Sequence, residues 1–205
     1  MVKKSKIFTI RLDGGRLCLD YLNTINYRFG SITVVDYFLT INDLIDWALR
    51  LQILDEDHHR QLTKYAADDP QSAHAFFPQA IALRELLYNI FCRISRDEDI
   101  RSQDIIKFNK VISHYFSKLQ LKKSNGNYMQ FWNFRKGDFH YILAPVVMDA
   151  YTLLLDNRND RIKECPKCGW IFDDKSKNGK RKWCSMQTCG SNVKALEWYH
   201  RQKKV

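Results

Sequence analysis

The chain has 205 residues, 45% of them hydrophobic and 13% aromatic, which is ample for a packed core and excludes a disordered chain. Its formal net charge is +10, and residues 160–205 hold 12 Lys+Arg against 5 Asp+Glu, so seven of the ten excess positive charges lie in the last 46 residues. A basic surface localised in this way suits a partner made of phosphates, although acidic proteins or membrane headgroups would be drawn by the same field.

Only 8 Gly and 4 Pro argue against a turn-rich all-β fold. The basic start, Met1 to Lys6, is followed by "IFTIRLDGG", which lacks the apolar run of a secretory leader, and no apolar stretch approaches the roughly 20 residues that cross a bilayer. A cytoplasmic location is therefore expected, where thiols stay reduced. "IFTIRL" (7–12) alternates as a strand does, and Gly14-Gly15 breaks it. In "RLCLDYLNTINYRF" (16–29), Leu17, Tyr21 and Ile25 recur at helical spacing. Thr40 with Asp43 three residues on approximates a capping box, opening a helix whose stripe is Leu44, Trp47, Ala48 and Leu51. A polar helix from Glu56 to Ala67 ends at "DDPQS", read as a turn.

From Pro78, "PQAIALRELLYNIFCRI" is the clearest helix, with Leu83, Leu87, Ile90, Phe91 and Ile94 on one face. Ser102 opens another, with Ile105, Phe108, Ile112, Tyr115, Phe116 and Leu119 expected to face the core. Two strands, "NYMQFWNF" and "FHYIL", are expected to join through Arg135-Lys136-Gly137-Asp138, where a glycine suits a hairpin turn. "APVVMDAYTLLLDN" (144–157) then reads as a helix leading to a cysteine-rich segment. The expected fold class is α+β: a mostly helical N-terminal domain (1–158) with a small antiparallel sheet, plus a small C-terminal four-cysteine module (159–205) ending in a helix.

In a reduced compartment, six cysteines raise the question of metal before that of disulfides. Cys18 and Cys92 sit alone in apolar surroundings and read as inert core thiols. The other four follow the pattern Cys165-x2-Cys168-x15-Cys184-x4-Cys189, two knuckles that can each present two thiolates to one tetrahedral Zn²⁺. Four cysteines leave no open coordination position, so the expected cofactor is a single structural zinc, with iron as the competing metal and four free thiols as the plainer alternative. Gly169 and Gly190 each follow a ligand, where a backbone turning around a metal often needs positive φ. So small a module cannot easily bury enough apolar area alone, and metal binding would supply much of its folding free energy.

At about 100° per residue, the helix after Cys189 gathers Lys194, Trp198 and Arg201 on one side and Ala195, Leu196 and Tyr199 on the other. One face can pack on the module while the other presents two cations and an indole to a groove or to phosphates; the plainer alternative is a solvated face that happens to be basic. Arg181 and Lys182 add charge beside the second knuckle and suit phosphate contact more than a base edge.

Together, "CPKCGWIFDDKSKNGKRKWCSMQTCGSNVKA" resembles the CGNR zinc-finger family: a cysteine knuckle, a Phe-x-Asp-x-Ser stretch, a basic-Trp-Cys-Ser-Met run and the naming signature. Upstream, "GGRLCLDYLNT" and "ALRELLY" are similar to the opening and central helix of the ABATE domain that accompanies it, so the resemblance touches both ends and the middle of the chain. Where the family has Cys-Gly-Asn-Arg, this chain has Cys189-Gly190-Ser191-Asn192: the ligand and glycine remain, the arginine does not, and Lys194 is the nearby cation that could replace it. The resemblance implies a zinc-dependent bacterial transcription regulator that binds double-stranded DNA, is associated with stress responses, and senses a small ligand through its N-terminal domain.

Asp20, Asn23 and Thr24 of "LDYLNT" fall within about one helical turn and could form a polar cluster at a pocket, with Arg84 complementing an anionic ligand; the other reading is that Asp20 and Asn23 cap or bridge neighbouring elements. No phosphate-binding glycine loop, serine elbow or paired metal-binding histidines occur, and no enzyme is expected. The alternative to a DNA-binding regulator is a protein-interaction module that docks its zinc-stabilised basic helix on an acidic partner.

Overall fold

Side-chain caps fix the starts of three consecutive helices. Thr40 accepts from the backbone N–H of Asp43 while Asp43 accepts from that of Thr40, completing the expected box at the head of α2 (Ile41–Arg50), which buries Leu44, Trp47 and Ala48. Asp55 caps α3 (Glu56–Asp68) through His58 N–H at 2.8 Å. The stretch read as a turn, "DDPQS", is instead a one-residue junction: Asp69 closes α3 and caps α4 (Pro70–Ser95) through Ser72 N–H at 3.0 Å, with Pro70 in the first helical position. α4 thus starts before Pro78, which lies inside it on an exposed face where water can serve the carbonyl that proline leaves without a partner. The buried stripe Ala73, Phe76, Ala80, Leu83, Leu87 carries the helix through that point.

The computed structural model describes residues 6–28, 34–124, 126–156 and 158–202. Its N-terminal segment is a 3₁₀ turn (Lys6–Thr9) and not a strand, because Ile7 and Ile10, three apart, are both buried, each in a different core. α1 (Leu17–Leu22) is shorter than its periodicity suggests; Asn23 ends it, and Ile25–Asn26 (β1) pairs antiparallel with Val35–Asp36 (β2). Phe29 and Asn157, which the expected helices included, lie outside the described residues. α5 (Ser102–Phe116) buries Phe108 and Tyr115 but leaves Ile105 exposed, and Leu119 opens a strand where it was expected to continue the helix.

That strand, β3 (Leu119–Ser124), is the partner of β4 (Asn127–Trp132), in register from Leu119↔Trp132 to Ser124↔Asn127. "FHYIL", expected to pair with β4, forms the start of α6 (His140–Leu155) instead. Ile142, Leu143, Val146, Val147 and Ala150 are all buried at helical spacing, and Asp138 accepts from His140 N–H at 3.0 Å, supplying a helix start that a propensity reading of Phe, Tyr and Ile does not reveal. α1, α2, α3, α5 and α6 gather around the larger core, to which α4 contributes most of its length, and the hairpin of β5 (Ile162–Glu164) and β6 (Ile171–Asp173) lies against α4 and α1.

Candidate metal centre and basic helix

β5 and β6 pair antiparallel, and the first knuckle is the turn between them. Cys165 N–H donates to Trp170 O at 2.8 Å and Gly169 N–H to Cys165 O at 2.9 Å, closing a tight loop that requires φ of +73° at Gly169. The second knuckle runs from Cys184 through a single π-helical turn (Met186–Gly190) into α7 (Ser191–Gln202). Gly190, expected at positive φ, is absent from the left-handed glycines of the described residues. Its smallness is needed for another reason: a Cβ there would run into the Met186 thioether and come within 3.0 Å of the Trp183 ring.

The four sulfurs of Cys165, Cys168, Cys184 and Cys189 are buried and lie within 4.8 Å of one another, with Cys168–Cys184 and Cys184–Cys189 both at 3.6 Å. Tetrahedral ligands at about 2.3 Å from Zn²⁺ lie about 3.8 Å apart, so the spacing and the donor set fit one such ion with every position filled. Without a cation the thiols would have to share protons. Cys165, accepting first from Cys168, is driven far down, whereas Cys168 and Cys184, each bonded first to Cys165, are driven up. A bound dication removes that conflict by favouring all four thiolates.

Arg11, which the sequence reading did not single out, reaches the cluster from the N-terminal segment. Its guanidinium lies 3.9 Å from Cys189 Sγ and 4.0 Å from Cys184 Sγ, donates to Thr188 Oγ1, pairs with Asp13 at 2.8 Å and stacks over the Trp170 ring at 4.7 Å. Four thiolates around a dication carry a net charge of about −2, and this cation would offset part of it. No local signal links an arginine in position 11 to cysteines more than 170 positions away; only the fold brings them together.

A second organising group, also missed, is Asp174. Lys163 Nζ at 2.8 Å, Ser176 N–H at 3.0 Å, Ser176 Oγ at 2.6 Å and Arg181 N–H at 2.8 Å all donate to its carboxylate. Burial would raise its pKa, but Lys163 and Ser176 overcome that and hold it well below the usual range. The loop between the knuckles is thereby folded around one carboxylate, and its signal in the sequence was the Phe-x-Asp-x-Ser stretch.

Arg181 turns its side chain back onto the module, donating from Nε to Trp183 O at 2.9 Å and lying over the Phe172 ring at 4.8 Å. Lys182 is exposed beside Trp183. On α7, Lys194, Trp198 and Arg201 are exposed as expected of a contact face. The opposite face differs from expectation: Ala195, Leu196 and Tyr199 are exposed too, with Leu196 at 53% and Tyr199 at 48%. Among the described residues the main contact of α7 is with the π-helical turn at its base, and most of its described side chains are exposed.

The polar residues of "LDYLNT" lie where the module meets the helices. Asn23 donates to Ile171 O at 2.8 Å and accepts from Ile171 N–H at 3.0 Å. Bonds at Cys165–Trp170 and Asp174–Arg161 direct the alternate backbone groups of β6 away from β5, so this side-chain amide meets the outer edge of β6 much as a neighbouring strand would. Asp173 N–H donates to Gly14 O at 2.9 Å and Trp170 Nε1 to Ile25 O at 2.9 Å. Asp20 accepts from Gly14 N–H at 2.9 Å, and burial raises its pKa to about 6. Thr24 donates to Tyr21 O at 2.8 Å, and the buried Arg84 makes a two-pronged pair with Asp36, 2.7 Å on each side, and also holds Glu85. The capping and bridging reading thus describes the contacts that Asp20 and Asn23 make. Cys18 and Cys92 are buried thiols apart from the cluster.

No helix among the described residues is long and apolar enough to cross a membrane. Compared with known families, residues 15–157 match ABATE, described as "Putative stress-induced transcription regulator", and residues 161–202 match the CGNR zinc finger. The search of curated proteins gives no match.

Proposed function

We propose, from the premise that the chain belongs to the ABATE family and carries a CGNR zinc finger, that it is a zinc-dependent regulator that binds double-stranded DNA through residues 159–205 and responds to a small ligand through residues 1–158. The observation that carries this reading is the placement of the four-sulfur cluster at the root of α7. One ion held by Cys165, Cys168, Cys184 and Cys189 would fix the direction of a helix that extends Lys194, Trp198 and Arg201 into solvent. An exposed basic helix suits a groove of duplex DNA, with the indole stacking or packing while the cations meet phosphates. Lys182 adds to the basic surface, and Arg181 supports the second knuckle while leaving its charge near it. The matched ABATE description is regulatory, and a metal centre closed by four cysteines would leave no open position for chemistry.

Exposure of Leu196 and Tyr199 opposite the cations favours a second reading, in which α7 lays an apolar face on an acidic protein. A titration of zinc-loaded protein with duplex DNA over a range of salt separates the two. DNA binding should weaken steeply as salt rises, and Lys194→Glu with Arg201→Glu should reduce both the affinity and the salt dependence. Protein partners retained after nuclease treatment, without retention of DNA, would support the second reading instead.

A further inference from the structure

A cavity of about 510 Å³ lies between the base of the β3–β4 hairpin, α3 and the start of α6. Its size is in the range of small-molecule sites. Leu54 and Leu62, both buried, contribute apolar lining. Aromatic rings supply much of the rest: Trp132 and Phe134 have centroids 6.4 Å apart with their planes inclined by 28°, and Tyr141 stacks on His58 at 6.0 Å with the planes 12° apart. Two such pairs suit a planar guest.

The charge on the lining is positive. Arg135 and Lys136 are exposed, and among the described residues neither takes part in an ion pair. The one acid of the lining, Asp138, is already held by His140, whose Nδ1 lies at 2.8 Å and backbone N–H at 3.0 Å. His58 is similarly held by Asp55 at Nδ1, so it can present Nε2. The backbone that carries the cations is held in place. Arg135 O accepts from Asp138 N–H at 3.0 Å, closing a turn in which Gly137 has φ of +86° and sits so near Tyr65 that a Cβ would come within 2.9 Å of the ring. A turn docked this closely onto α3 holds Arg135 and Lys136 beside the cavity.

We propose that this cavity is a binding site for a small planar aromatic molecule carrying a carboxylate, with the ring between the aromatic side chains and the anion at Arg135 and Lys136. The proposal rests on the reading of residues 1–158 as ligand-responsive only for its consequence for DNA; occupancy is a separate matter. A half-open concave site floored by the buried Leu54 and Leu62 suits a single small molecule better than the run of successive bases along a single-stranded nucleic acid, which would otherwise share this chemistry.

The test is calorimetric titration of the full-length, zinc-loaded protein with 2-naphthoate, and with 2-naphthylmethylamine as the cation of like shape. Naphthoate should bind and the amine should not. Arg135→Ala with Lys136→Ala, both at exposed positions that leave the core intact, should weaken naphthoate roughly tenfold or more, and Trp132→Leu should weaken both the anion and any uncharged naphthalene. Absence of naphthoate binding at millimolar concentration, equal binding of the amine, indifference to the double substitution, or displacement of naphthoate by a short oligothymidylate would each overturn the proposal. Naphthoate binding that leaves DNA affinity unchanged would support the site and count only against the ligand-responsive reading; failure of naphthoate would leave DNA binding unaffected.

Discussion

Replacing Asn23 by Ala removes a buried amide that makes two hydrogen bonds to one backbone residue, Ile171, at 2.8 and 3.0 Å. Ile171 is fully buried and its N–H and C=O face away from β5, so neither group has the sheet to fall back on. A buried backbone group left without a partner costs about 1–3 kcal/mol, which for two groups is about 2–6 kcal/mol, the low end applying if water enters the space. For a chain of this length each kcal/mol lowers the melting midpoint by about 2–4 °C, so a drop of roughly 4–24 °C is expected in thermal unfolding of the zinc-loaded protein. Asn23→Asp sharpens the test. It keeps the acceptor for Ile171 N–H but loses the donor to Ile171 O and adds a charge in a dry site, so its loss should be at least as large. Amide exchange supplies a local readout: the Ile171 N–H should be protected in the parent protein and exchange much faster in Asn23→Ala. A loss below about 1 kcal/mol, or unchanged protection at Ile171, would refute the account of Asn23 as the tie between α1 and β6.

Three further outcomes follow from other contacts. Asp20 has a folded-state pKa raised by burial to about 6, above its unfolded value of 3.8, so ionisation opposes folding above pH 4 and reaches its full effect above pH 6. Asp20→Asn, which still accepts from Gly14 N–H, should therefore be more stable than the parent at pH 8 by up to about 3 kcal/mol and lose that advantage as pH falls toward 4, measured by urea denaturation at each pH; a pH-independent difference would contradict it. Stripping the metal with a strong chelator, or Cys184→Ser, should abolish the stoichiometric release of one zinc per chain in a colorimetric assay while most helical circular dichroism persists, since α1 to α6 bury their own core. Gly169→Ala forces a side chain to φ of +73° and should cost about 1–2 kcal/mol and speed metal release, whereas full retention of both would mean the first knuckle is not strained there.

What the sequence determined by itself was local. Ligand spacing in Cys165-x2-Cys168 and Cys184-x4-Cys189, the box at Thr40–Asp43, and the apolar stripe of α4 all arise from residues a few positions apart, where bond geometry fixes which side chains can meet. The family resemblance was legible for the same reason, because its motifs are short. Tertiary structure decided whatever depends on a distant partner. "FHYIL" has the composition of a strand, yet the start at Asp138 and the core around α6 make it helical, and the strand left without a partner pairs with Leu119–Ser124 instead. Asp20, Asn23 and Thr24 form one polar run in the sequence, but Asn23 bonds Ile171, nearly 150 positions on, and Thr24 accepts from Arg84 at 3.4 Å, while Asp20 keeps a local contact with Gly14. Arg84 pairs with Asp36, which comes from β2. Most remote of all is Arg11, which reaches Cys184 and Cys189 through the fold alone. Periodicity and spacing report what a segment requires of its surroundings; which surroundings meet that requirement is settled only when the whole chain has packed.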